Sequence, residues 1–88
     1  MFYVILLFIV NAGADVNAQD HDGQTVLHES IYYHRHSTIK SLLKHRVNIN
    51  REDRDGDTPL HVASQGRDWK TMQWLLRMNA DPFKTNKV

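Results

Sequence analysis

The chain contains no cysteine, so neither a disulfide framework nor a thiolate zinc site is open to it. A domain this small without such staples reads as intracellular, cytoplasmic or nuclear. Net charge is nearly absent as well: 11 Lys and Arg against 10 Asp and Glu leave a formal +1. That supplies no broad attraction for a phosphate backbone or an acidic membrane, so nucleic acid is not an expected partner. The four glycines all stand alone, which excludes a Gly-rich phosphate loop, and no HExxH stretch is present. Long hydrophobic runs are missing too. Phe2 to Val10 is apolar throughout but far shorter than the ~20 residues that cross a bilayer, so membrane insertion is not expected. Ala12-Gly13-Ala14 imitates a signal-cleavage site, yet no Lys or Arg precedes Arg35 and the basic n-region of a signal peptide is lacking.

What the sequence does have is a period. Shifted by 33 positions, it aligns Asn17 with Asn50, Asp20 with Asp53, Asp22 with Asp55, Gly23 with Gly56 and Thr25 with Thr58. Leu27 falls on Leu60, His28 on His61, Thr38 on Thr71, Leu42 on Leu75 and Leu43 on Leu76. These are ten identities over the 34 positions from Asn17 to Asn50, where chance gives roughly two, and a fixed period of this length marks a stack of supersecondary units. Extended backwards, the grid joins Leu6 to Ile39 and Met72, Ile9 to Leu42 and Leu75, and Val10 to Leu43 and Leu76. Each triplet has spacing i, i+3, i+4, which places it on one face of a helix. The apolar N-terminal run is therefore read as a repeat element.

Within a unit the chemistry of the residues sets the order of elements. Asp55-Gly56 suits a tight turn, Thr58 a helix N-cap and Pro59 the first helical position, where a missing N–H costs nothing. The first helix is expected to run to about Gly66, and a second from about Asp68 to Arg77, closing at Asn79 in the left-handed conformation. An extended arm, 14–18 in one unit and 47–51 in the next, leads to the following turn. The expected fold is an all-α repeat solenoid of helix pairs with turns projecting along one edge. The unit boundaries are read as a partial repeat over 1–19 (second helix and arm), full repeats over 20–52 and 53–85, and the start of another at 86–88.

Thr58-Pro59-Leu60-His61-Val62-Ala63 and Asn11-Ala12-Gly13-Ala14-Asp15-Val16-Asn17-Ala18 resemble the two signature stretches of ankyrin repeats, at the proper offset on a 33-residue grid. The chain departs from that pattern at Val26 for the proline, at Ser30 and Ile31 for two alanines, and at His34 for the glycine between helices. Gly66 stands one residue early, and Arg46 and Asn79 replace a further glycine. The resemblance implies β-turn fingers and a role as a protein–protein interaction scaffold, not an enzyme, whose partner docks on the finger tips and on a concave face formed by the first helices. Carried over by position, the contact residues are His21, Asp22 and Gln24 in one finger, Arg54, Asp55 and Asp57 in the next, and Tyr32, Tyr33 and Gln65 on the first helices. Tyrosine combines a large rigid surface with a hydroxyl, which makes Tyr32 and Tyr33 the natural anchors. Adjacent residues on a helix point in different directions, so one of the two is a candidate to pack against a loop instead.

Other groupings have less behind them. The resemblance gives His28 and His61 a hydrogen-bonding duty within the turn. His34 and His36 alternate in the inter-helix loop, but no third ligand stands at a recognisable spacing, and neither a metal nor any other cofactor is expected. Asp53 and Asp55 sit on a solvated turn tip with nothing apolar to raise a pKa, which disfavours acid–base catalysis. Arg46, Arg51 and Arg54 are offset by Glu52, Asp53 and Asp55, and Lys40 with Lys44 reads as a solvated helix face. The competing readings are metal-dependent or hydrolytic activity using the loop histidines, and a nonfunctional fragment of a longer repeat protein. Solenoids need about three repeats and polar caps, so self-association through the N-terminal apolar helix is a further expectation.

Overall fold

The computed structural model describes residues 15–45 and 47–81. Outside them lie the N-terminal helix expected from Leu6, Ile9 and Val10, with the self-association assigned to it, the repeat start at 86–88, and Arg46. Four helices follow in order: α1 (Val26–Tyr32), α2 (His36–Leu43), α3 (Pro59–Gln65) and α4 (Trp69–Arg77). Each packs on its partner in the pair, α1 on α2 and α3 on α4, and the pairs meet through α1 and α3.

The turns before α1 and α3 are built alike. Asp20 Oδ1 accepts the N–H groups of Asp22 (2.9 Å) and Gln24 (3.0 Å), and Asp53 Oδ1 accepts those of Asp55 and Asp57 (both 2.9 Å). Gly23 and Gly56 close these fingers at φ +75° and +80°, a region that L side chains rarely occupy. At Gly23 a Cβ would also stand 2.7 Å from the Arg54 backbone nitrogen, because successive fingers touch there: Arg54 N–H donates to the Asp22 carbonyl at 2.9 Å. The recurring Asp and Gly thus answer to the turn and to its neighbour at once.

Thr25 and Thr58 then cap the helices. The Thr25 hydroxyl oxygen accepts from His28 N–H at 3.3 Å, while Thr25 N–H donates back to His28 Nδ1 at 3.2 Å. Thr58 and His61 repeat the arrangement at 3.4 and 3.0 Å. This is a capping box with histidine in the place usually held by Glu or Gln. Since Nδ1 accepts, the ring hydrogen sits on Nε2, and in His28 that nitrogen donates to the Asp57 carbonyl of the next finger at 2.8 Å.

The arms are less extended than their composition suggests. Asn17 N–H donates to Asp15 Oδ1 (2.9 Å) and Asn50 N–H to Asn48 Oδ1 (3.1 Å), folding each arm into a local turn. The Asn17 and Asn50 side chains then accept the backbone N–H groups of Asn48 and Asp81, tying each arm to the next.

Leu27, Ile31, Ile39, Leu42 and Leu75 are fully buried and form the centre of the core, each such side chain contributing on the order of 1.5–3 kcal/mol of transfer free energy. The expected triplet Ile39, Leu42, Leu43 faces inward throughout. Its counterpart does not: Leu75 is buried, but Leu76 is 44% exposed where Leu43 is 9%, for α3 and α4 have no further helix pair against them among the described residues. The left-handed residue between helices is Arg67 (φ +54°), matching His34 (φ +56°), and Gly66 just before it has ordinary φ. The displaced glycine therefore does not serve the backbone there. Asn79, at φ +68°, closes α4 as expected.

The second helices begin differently, and the difference is measurable. Asp68 caps α4, accepting Thr71 N–H at 3.2 Å and the Thr71 hydroxyl at 2.8 Å. The corresponding residue before α2 is Arg35, which makes no side-chain cap, and the buried Thr38 hydroxyl is left without a hydrogen-bond partner. Arg35→Asp should therefore stabilise the fold by about 1–2 kcal/mol, a side-chain N-cap plus an acceptor for Thr38. Urea unfolding followed by circular dichroism measures it, and an unchanged midpoint would show that α2 gains nothing from a cap.

Candidate partner-binding surface

Helix α1 ends at Tyr32, and Tyr33 is its C-cap, with φ −94° and ψ 9°. That change of backbone direction lets both side chains leave the core. Tyr32 is 69% and Tyr33 57% exposed, and their rings meet edge to face with centroids 5.0 Å apart. The expectation that one of the pair packs against a loop is thus replaced by mutual packing, which orders both rings in solvent. A shallow groove runs beside them, lined by Asp20, Gln24, Glu29, Tyr32 and Tyr33.

Of the residues singled out from the sequence, Gln24, Tyr32 and Tyr33 come together in this groove. Glu29 and Asp20 were missed. Glu29 lies three and four residues before the tyrosines on the same helix, so its spacing carried the signal. A second group gathers at the finger tips, where an Arg54 guanidinium nitrogen donates to the His21 carbonyl at 2.9 Å and another stands 3.9 Å from Asp22 Oδ1. His21 Nε2 is 3.6 Å from Asp22 Oδ2. Arg54 therefore joins one finger to the next as well as facing solvent. Asp55 is exposed, while Asp57 is half-buried with its carbonyl engaged by His28. Gln65 is exposed at the end of α3, apart from both groups.

Two sets of side chains place possible cation ligands within 4.8 Å of one another. In Asp53, Asp55 and Asp57, one Asp53 oxygen is already committed to holding the turn. The other set is His34, His36 and Asp68. Asp68 is buried, which opposes its ionisation. Hydrogen bonds from the Thr71 hydroxyl, His36, Thr71 N–H and His34 outweigh that burial and hold the carboxyl below its ordinary value.

On the opposite helices Lys40, Leu43, Lys44, Trp74, Arg77 and Met78 border a second depression, with Lys40 Nζ 5.0 Å above the Trp74 ring. Lys40 thus rests on an aromatic face as well as in solvent. No helix among the described residues is long and apolar enough to cross a membrane.

The paired helices, the finger turns, the Thr-capped first helices and their histidines recur at 33-residue intervals, and comparison with protein-family models agrees. Residues 2–86 match the model for ankyrin repeats, three copies, a family of protein–protein interaction modules that are generally non-enzymatic scaffolds. The chain belongs to the ankyrin-repeat family.

Proposed function

We propose that this chain is a binding scaffold that takes hold of a partner protein through its finger tips and the groove beside Tyr32 and Tyr33. The observation that carries this reading is the pair of exposed, mutually packed tyrosines. A folded domain holding two aromatic rings in solvent offers a preorganised anchor at little further entropic cost. Asp20 and Glu29 along the same groove favour a segment with Arg or Lys, whose cation can lie over a tyrosine ring while facing a carboxylate. Asp22, Gln24 and Arg54 supply the polar rim, His21, Asp55 and Asp57 extend it along the finger tips, and Gln65 offers a separate contact at the end of α3.

A photoreactive phenylalanine analogue at position 32, with the same group at Gln73 on exposed α4 as control, identifies the partner in a cell extract. Adducts should form at position 32 and not at 73. With the captured protein, Tyr32→Ala and Tyr33→Ala should each raise Kd about 5–30-fold, the ~1–2 kcal/mol of a true anchor, with helical content unchanged. Unaltered affinity in both variants, or adducts only at position 73, would remove the basis for this surface.

A further inference from the structure

We propose that His34, His36 and Asp68 form a binding site for a divalent transition-metal ion of zinc's class, clamped at the junction between the two helix pairs. The three residues come from different places in the chain. His34 lies in the turn from α1 to α2, His36 is the first residue of α2, and Asp68 caps α4, 32 residues further on than His36. His36 Nε2 stands 2.8 Å from Asp68 Oδ2 and 3.0 Å from Oδ1, and His34 Nδ1 stands 3.3 Å from Oδ2. A zinc ion bound at about 2.0–2.2 Å to imidazole nitrogen and carboxylate oxygen sets its ligand atoms roughly 3.3–3.5 Å apart. The observed contacts of 2.8–3.3 Å lie at or just under that figure, with the three ligand atoms all within 4.8 Å of one another, and small rotations of two partly exposed rings open the space an ion needs.

Hydrogen bonding alone serves this cluster poorly. Asp68 Oδ2 faces three groups at once, His36, the Thr71 hydroxyl at 2.8 Å and His34, though a carboxylate oxygen presents two lone pairs. One cation between the rings and the carboxylate replaces two crowded contacts by three coordination bonds, and Thr71 keeps its share of the oxygen. The surroundings suit a built site. Asp68 is only 6% exposed and is fixed by Thr71 through both its N–H and its hydroxyl, an outer shell that orients a ligand. The Trp74 ring packs edge-on to His36 with centroids 5.4 Å apart. Gly66 makes room for the other ring, since a Cβ there would stand 3.3 Å from His34 Cε1.

His34 also holds a left-handed backbone conformation (φ +56°) that costs an ordinary side chain energy. The histidine side chains are 52% and 41% exposed, which gives an ion a way in and leaves water for the fourth position. Two imidazoles and one carboxylate select zinc, cobalt, nickel or copper over magnesium or calcium.

Titrating the full chain with zinc chloride by calorimetry, and with cobalt chloride by visible absorption, tests the site. One ion per chain should bind with micromolar Kd, cobalt should show the strong visible bands of four-coordinate geometry, and the melting temperature should rise by several degrees. His36→Gln, which keeps a donor toward Asp68, and His34→Gly, which suits the left-handed backbone, should each weaken binding at least ~30-fold with helical content retained. His21→Ala and His45→Ala should bind as the parent does. Binding no tighter than millimolar, or binding that survives the double variant His34→Gly, His36→Gln, would overturn the proposal.

Discussion

Replacing His28 by alanine should destabilise the fold by about 2–4 kcal/mol, whereas the equivalent His61→Ala should cost roughly half as much. Both rings accept the N–H of the threonine that caps their helix, so both substitutions leave that N–H without its partner. Only His28 goes further. It is almost wholly buried, and its Nε2 donates across to the Asp57 carbonyl in the next finger, while among the described residues His61 has Thr58 as its hydrogen-bond partner. The difference between the two variants therefore isolates the bond between units, together with the cavity left by a fully enclosed ring. For a chain of this length each kcal/mol moves the melting temperature by about 4–8 °C. His28→Ala should melt some 10–25 °C below the parent. Equal losses in the two variants, read by thermal melts under matched conditions, would show that the histidine acts only within its own turn.

Asp68→Ala should be comparably damaging, at about 2–4 kcal/mol. The cap of α4 contributes roughly 1 kcal/mol. The Thr71 hydroxyl, fully buried, loses its acceptor at a further cost of about 1–3 kcal/mol. The contacts to the half-exposed His34 and His36 add little in water. Asp68→Asn preserves an oxygen for capping and should cost less than half of the alanine value. If alanine and asparagine are equally tolerated in urea unfolding, the carboxylate is not what holds α4 to its threonine.

Much of this was legible because the period repeats the chemistry. Thr58, Pro59 and Asn79 mark helix ends through properties of single residues, and the helices start and stop where those residues stand. What depended on neighbours was harder to read. Whether Leu76 is buried depends on what packs beyond α4, which its i, i+3, i+4 spacing does not encode. Tyr32 and Tyr33 are both exposed because the helix stops between them, at the grid position where α3 stops after Gln65, with no glycine in this loop to mark it. The arms fold through Asp15 and Asn48, side chains whose competition with extended backbone was visible but unused. The clearest omission is Asp68. His34 and His36 have no third ligand in their own loop, but in a stack of period 33 their spatial neighbours are 67 to 69, and Asp68 lies among them. The signal was in the grid, not in any contiguous motif.

The proposed binding surface depends on one arrangement: fingers and first-helix ends would face the partner, and the second helices would not. Amide hydrogen exchange of the chain, alone and with its captured partner, tests this most directly. Protection on binding should concentrate in 20–24, 29–34, 54–57 and 65–66, leaving 37–44 and 70–77 unchanged. Protection confined to 37–44 and 70–77, around Lys40, Trp74 and Arg77, would place the partner on the opposite face and contradict the assignment.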